Sequence, residues 1–162
     1  MILSDLSLWK LLDQMVSDPD PGLVNPASID VRLGDEAQLE VGPDALVRVD
    51  LRAESVRLAP GDFAVAVTHE RITVPTGHAV ELVIKPDLAL QGYELASVWL
   101  EPGSAGVGPL ALRNRRRHTS LPLTPGMRIA ELIVHRLDQP AARAGRGHAG
   151  IAAGRSLEGV SR

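Results

Sequence analysis

Residues 25–34 read Asn25-Pro26-Ala27-Ser28-Ile29-Asp30-Val31-Arg32-Leu33-Gly34. An Asn-Pro turn opens the stretch, and Gly34 closes it. Between them Ile29, Val31 and Leu33 alternate with Asp30 and Arg32. On a strand this period of two puts three apolar side chains on one face and a carboxylate beside a guanidinium on the other. The pattern predicts a half-buried strand whose polar face points outward.

Upstream, Ser4 to about Val16 reads as a helix. Ser4 stands at the capping position, and Leu8, Leu11, Leu12 and Met15 share one face. The run Asp18-Pro19-Asp20-Pro21-Gly22 ends it. Downstream the period changes. Val47–Leu51, Ser55–Leu58, Phe63–Thr68, Ala79–Ile84, Ala96–Leu100 and Ile129–His135 read as short β segments. Pro60-Gly61, Pro75-Thr76-Gly77, Glu101-Pro102-Gly103 and Pro125-Gly126 separate them. Many short strands joined by Pro-Gly turns point to a barrel or sandwich rather than a βαβ fold. No helical pattern of useful length recurs after residue 20.

With 162 residues, the chain fits one domain able to bury a core without staples. It has no cysteine, so neither a disulfide framework nor a thiolate metal site is available. Trp9, Phe63, Tyr93 and Trp99 are its only aromatics, which leaves the core to Val, Leu, Ile and Ala. The formal net charge of −3 gives no reason to expect a nucleic-acid partner. No apolar run approaches the ~20 residues of a membrane helix. Met1-Ile2-Leu3-Ser4-Asp5 lacks the features of a signal peptide, so the expected location is cytoplasmic. From Gln139 onward Ala, Gly and Arg dominate, which predicts a domain over residues 1–138 and an arm over 139–162.

The opening motif, taken with several later segments, resembles the dCTP deaminase/dUTPase superfamily, and within it the dCTP deaminase branch. Met1-Ile2-Leu3-Ser4-Asp5 before a short helix is similar to that branch's N-terminus. The segment Pro60 to Thr68, with Glu70 and Ile72-Thr73-Val74-Pro75, is similar to its Pro-Gly strand-turn-strand unit. Leu121-Pro122-Leu123-Thr124-Pro125-Gly126-Met127-Arg128-Ile129-Ala130 is similar to its late Pro-Gly-Met strand. Gly159, Ser161 and Arg162 echo its ending. The resemblance implies a mostly-β fold, a distorted barrel or jelly-roll-like β-clip with a short N-terminal helix. It also implies a homotrimer with active sites between subunits. The implied ligand is a deoxynucleoside triphosphate carrying Mg2+, with no tightly bound cofactor and no membrane partner.

The same resemblance shows where chemistry should be. Deaminating cytosine requires activating a water and protonating the departing amine, which a carboxylate near the ring can do. The branch carries that carboxylate as a Glu on the strand after an Asp-Pro-Gly-Trp-like turn. Here the turn is Glu101-Pro102-Gly103-Ser104, and the Glu position holds Ala111, which cannot move a proton. The family's phosphate-gripping Arg-Ser-Ser element corresponds to Lys85-Pro86-Asp87. Lys85 could still meet a phosphate as a point charge. Pro86 removes a backbone donor, and Asp87 adds a negative charge. Trp99 replaces an expected Arg, and Gly92 is taken with Lys85 and Asp87 as a candidate nucleotide- or phosphate-binding position. Two functions follow as alternatives. The first is a dCTP deaminase-like protein of deoxyribonucleotide metabolism that has lost the parent catalysis and serves a structural or regulatory role. The second is an active dCTP deaminase or dUTPase-type hydrolase, making dUTP or dUMP, that reuses Glu101 and Lys85.

The remaining candidates have plain structural readings beside the functional ones. Glu101 could activate water, or simply solvate the start of a turn. Asp30 could pair with Arg32 or shape a subunit contact; otherwise it is an outward polar position. Arg113, Arg115, Arg116, Arg117 and His118 could bind an anion, or form a solvated hairpin tip or a trimer contact. The five histidines show no ligand spacing such as His-x₃-His, so no metal site is expected.

Overall fold

The computed structural model describes residues 1–43 and 45–145. Helix α1 spans Asp5–Met15 and buries Leu8, Leu12 and Met15. Their 4- and 3-residue spacing places them on one stripe. Ser4 is the N-cap residue, but it acts through its backbone: its carbonyl accepts from the N–H groups of Ser7 and Leu8, and its side chain makes no capping bond. Asp18, in a left-handed conformation with φ 51°, turns the chain out of the helix.

Eleven strands follow among the described residues: β1 (Val24–Asn25), β2 (Ser28–Gly42), β3 (Ala45–Asp50), β4 (Val56–Leu58), β5 (Phe63–Thr73), β6 (His78–Ile84), β7 (Tyr93–Leu95), β8 (Val98–Leu100), β9 (Ala105–Asn114), β10 (Leu121–Leu123) and β11 (Arg128–Arg136). One sheet runs in the order β7-β9-β5-β2-β11-β6-β8, with β1 and β3 pairing to β2, and β4 pairs with β10 in a second, two-stranded sheet. The two ends of the long path, β7 and β8, are consecutive in the chain and separated only by Ala96 and Ser97. A sheet whose opposite edges lie two residues apart has to curl on itself, and this one forms a half-barrel. The expected mostly-β, barrel-like architecture is therefore present.

Several local readings differ from the sequence pattern. Gly34 does not end the opening strand. It lies at a register shift where Leu33 pairs with Thr68 but Ala37 pairs with Ala66, a bulge that lets β2 continue to Gly42. A Cβ at Gly34 would lie 3.0 Å from the Val67 carbonyl oxygen, so the backbones approach too closely for a side chain. Of the expected strand at Ala96–Leu100 only Val98–Leu100 forms, as β8, and β7 precedes it at Tyr93–Leu95. A six-residue helix, α2 (Pro86–Gln91), occurs where no helical period is visible. Strand β9 shows no apolar alternation in the sequence and is implied only by the resemblance, as the strand after the Glu101 turn.

The core lies inside the curl, under α1. Ile29, Val31, Leu33, Leu110, Leu112, Ile129 and Leu132 are fully buried there. Each such side chain contributes about 1.5–3 kcal/mol of burial free energy. Tyr93 is also buried, and its hydroxyl donates to the Pro122 carbonyl at 2.6 Å. After β11 the chain lies beside two turns: Ala141 N–H donates to Thr76 O at 2.9 Å and Gly145 N–H to Pro102 O at 2.6 Å. Most of the expected arm, residues 146–162, falls outside the described residues.

Candidate functional site

Burial alternates along β9, with Gly106, Gly108, Leu110, Leu112 and Asn114 inside and Ala105, Val107, Pro109, Ala111 and Arg113 on the outer face. Ala111 pairs with Val65 on β5, and its carbonyl accepts from Ala96 N–H at 3.1 Å. The neighbouring outward positions on these two strands, Val65, Val67, Val107 and Pro109, carry no group able to exchange a proton. Arg113, two residues beyond Ala111 on the same face, carries a guanidinium that donates hydrogen bonds and accepts none.

Lys85 is the N-cap of α2, and its carbonyl accepts from the N–H groups of Leu88 and Ala89. Pro86 occupies the first helical position, where its missing N–H costs nothing. Asp87 is exposed in the first turn and places a carboxylate at the positive end of the short helix. Gly92 caps the other end in a left-handed conformation, φ 104°. A Cβ there would come within 2.6 Å of the Arg116 side chain. Glu101 is exposed at the start of its turn, and its carbonyl accepts from the Ser104 hydroxyl at 2.6 Å. Trp99 is half exposed on β8, with its ring centroid 5.3 Å from that of His135.

The Lys85 side chain turns toward a group that the sequence pattern did not reveal. Its ammonium donates to Asp30 Oδ1 at 2.7 Å and to Glu131 Oε1 at 3.4 Å. Asp30 also accepts from Asn25 Nδ2 at 2.8 Å, and Arg128 stands 3.5 Å from its other oxygen. Ser28 Oγ donates to Glu131 at 3.0 Å. Burial pulls the Lys85 pKa down, but the hydrogen bond and charge of Asp30, with Glu131 beside it, outweigh that and hold it above its ordinary value. Asp30 is only 1% exposed, so the expectation of an outward polar position is corrected. Its partner is Lys85 rather than Arg32, because Glu131 faces Asp30 across the β2–β11 ladder and Lys85 follows the end of β6, the next strand.

Arg32 belongs to a second ionic group. Its Nε donates to Glu70 at 2.6 Å, and Glu70 also accepts the Arg32 backbone N–H at 2.8 Å. Glu70 is fully buried. Arg32 reaches Asp18 at 2.9 Å as well, and His69 lies 3.4 Å from the same Asp18 oxygen. The Arg32 hydrogen bond holds the Asp18 carboxyl below its ordinary value. An open groove of about 230 Å³ lies at the β2 bulge, lined by Gly34, Asp35, Glu36, Val67, Thr68 and His69. It contains neither Ala111, Lys85 nor Glu101. Among the described residues no three His, Cys, Asp or Glu side chains are grouped to hold a metal ion. Asn25, Ser28, Arg128 and Glu131 had no sequence signal as site residues; only strand register brings them to Asp30.

This mostly-β half-barrel belongs to the dCTP deaminase/dUTPase superfamily. A dUTPase from phage phi11 of S. aureus shares it with a TM-score of 0.54 at 14% identity, over 83% of this chain and 93% of that one. A 2'-deoxycytidine 5'-triphosphate deaminase from Agrobacterium tumefaciens shares it with a TM-score of 0.67 at 20% identity; the match covers 83% of this chain and 47% of that one, about half its length. The family model of dCTP deaminase-like proteins matches residues 2–137. A dUMP-forming dCTP deaminase from Thermobifida fusca is 35% identical over 87% of this chain and 81% of the relative. A dCTP deaminase from Haloarcula marismortui is 31% identical over 88% and 84%. The chain belongs to the dCTP deaminase-like family.

Proposed function

We propose that this member of the family has lost the parent catalysis and serves deoxyribonucleotide metabolism as a structural or regulatory protein, with nucleotide binding the most it retains. The observation that carries the reading is Ala111, half exposed on a β9 face whose neighbours cannot move a proton. Lys85 supports it, because its ammonium is held by Asp30 and Glu131. A phosphate would have to compete with two carboxylates for that cation. Removing a general base costs about 10²–10⁴ in rate, and a weakened phosphate grip adds to that loss.

The assembly we propose is a homotrimer. Ile2 and Trp99 expose about half of their surface, 52% and 53%; Ile2 lies beside His135 near the end of β11, and Trp99 pairs with Glu81 in the middle of β6. Apolar surface of that kind suits a subunit contact.

A second reading, an active enzyme, is favoured by the names of relatives at 31–35% identity. It would rest on Glu101 as the base. The deciding assay offers purified protein dCTP and dUTP with magnesium and follows uridine nucleotides, ammonia and pyrophosphate. The expected result is no turnover. Turnover near ~1 s⁻¹, the low end of ordinary enzymes, overturns the proposal; loss of that turnover in Glu101→Gln would then assign the base. Nucleotide binding without turnover points to a sensor, and absence of both to a structural role.

A further inference from the structure

The β9–β10 loop carries the densest charge in the chain, and nothing above gives it a role. Arg113 ends the outer face of β9, and Arg115, Arg116, Arg117 and His118 follow it, all exposed. Arg57, on the neighbouring β4, hydrogen bonds to the Ser120 carbonyl at 2.7 Å and adds a sixth basic side chain at the loop's far end.

Two observations separate this loop from an ordinary solvated tip. The first is rigidity. Asn114, 1% exposed, clamps the loop from beneath. Its side-chain amide donates to Leu58 O at 2.8 Å and to Thr119 O at 2.9 Å, and its oxygen accepts the Arg116 N–H at 2.8 Å. The Arg115 N–H donates to Gly92 O at 2.8 Å, tying the loop to the end of α2. The Arg116 side chain lies over Gly92. The second observation is a lack of internal neutralisation. Glu94 reaches Arg115 at 3.7 Å. The Asp62 carboxylate accepts the Ala59 N–H. Among the described residues, Arg113, Arg116 and Arg117 make no ion pair. Lys85 and Arg32, by contrast, are both consumed by carboxylates.

We propose that this loop is a docking surface for a carboxylate-rich segment of a partner protein. Every strong cation here is arginine, whose planar fork matches a carboxylate bidentately. The clamped backbone removes part of the ordering cost of binding. A nucleic acid is the lesser fit. Its sites neutralise about 6–10 phosphates, whereas this footprint is one loop wide, has no aromatic residue for a base to stack on, and sits on a chain of net charge −3.

The test is fluorescence anisotropy of the full chain with a labelled oligoglutamate peptide, run beside a labelled single-stranded oligonucleotide and inorganic tripolyphosphate as competitor. The expected result is peptide binding that weakens with salt and falls at least about tenfold in an Arg115→Glu/Arg116→Glu/Arg117→Glu variant. The milder Arg116→Gln/Arg117→Gln variant, which adds no repulsion to the fold, should move the same way by less. No peptide binding at low salt overturns the proposal. So does binding that both variants leave unchanged, an oligonucleotide held more tightly than the peptide, or a signal that tripolyphosphate abolishes at concentrations where it is the tighter ligand. Nucleotide turnover does not enter the readout, so this proposal and the loss of catalysis stand or fall separately.

Discussion

The outer surface of the half-barrel is written in two ways. Over β2, β6 and β11 it is ionic, with Asp30, Lys85, Glu131 and Arg128 in one group and Glu70, Arg32 and Asp18 beside it. Over the paired segments 65–67 of β5 and 109–111 of β9 it is nearly inert, with Val65, Val67, Pro109 and Ala111. The charged region resembles an active site in composition but is closed on itself, since each buried charge has a partner inside the protein. The inert region has the expected place for a catalytic acid and no acid there. Charge density alone therefore does not mark a place that can take a ligand. What matters is whether a charged group is already satisfied, because a satisfied ion pair holds a fold together while an unsatisfied one can meet a ligand.

The largest effect expected from breaking this contrast lies in the ionic region. Asp30→Ala removes the acceptor of three donors at a position 1% exposed. It leaves the Lys85 ammonium in a half-buried setting with only Glu131. Breaking such a pair from one side costs about 3–5 kcal/mol, seen as a lower urea midpoint at unchanged slope. Replacing both members, Asp30→Leu with Lys85→Met, should recover part of the loss, because no buried charge is then stranded. A single variant within about 0.5 kcal/mol of wild type would show that water, not Asp30, satisfies Lys85.

Next in size is Glu70→Gln. The amide keeps the shape and can still accept the Arg32 backbone N–H, but it loses the charge that Arg32 meets at 2.6 Å. Asp18 remains as a second partner for Arg32, so the expected loss is about 1–3 kcal/mol. On the inert face the same kind of change should matter little. Ala111→Glu adds a carboxylate at a half-exposed position opposite Val65, within about 1 kcal/mol of wild type. It should restore no measurable dCTP deamination, since Pro86, Asp87 and Trp99 remain in place of the phosphate grip. Restored turnover in that single variant would mean that only the proton-transfer group is missing.

How far the sequence could lead follows from which signals are local. The segments at 63–68, 79–84 and 129–135 are visible because apolar alternation is local, and the turns between them because Pro-Gly is, although the strands themselves run over 63–73, 78–84 and 128–136. Strand β9 was hidden by its small residues. Gly106, Gly108 and Pro109 look like a turn, but a Cβ at Gly108 would lie 3.0 Å from both Ile72 and Thr68 side-chain carbons, so glycine there serves close packing within a strand. The reading of Ala111 as the place of the family's Glu rests on resemblance alone. The ionic group was not legible. Asp30 meets residues 55, 98 and, through Glu131, about one hundred positions away, and period-two alternation cannot tell an outward face that stays wet from one that is covered. Lys85 was read as a phosphate contact for the same reason: nothing in Lys85-Pro86-Asp87 announces Asp30.

The smallest effect tests whether any titration near neutrality couples to the fold. His78 opens β6, and its Nδ1 is buried with no hydrogen-bond partner among the described residues. Burial, and then the charge of Arg136, hold its pKa below the ordinary 6.5. The folded state thus binds its proton less readily than the unfolded chain does. Stability is fully present above the ordinary histidine value and is lost as pH falls below it. The other shifted groups act elsewhere. Asp18, with a lowered pKa, loses its contribution only as pH falls below the ordinary 3.8. Lys85, with a raised pKa, loses its contribution only as pH climbs above the ordinary 10.5 and through its folded value. Between about pH 7.5 and about pH 5.5 the melting temperature should therefore fall by ~2 °C, within the range that a fraction of a kcal/mol produces in a domain of this size. His78→Gln, which cannot titrate, should flatten that slope without touching the acid and alkaline limbs. An equally steep fall in that variant would assign the neutral-pH slope to a different group and leave the ionic region's charges as the ones that set the pH limits of this fold.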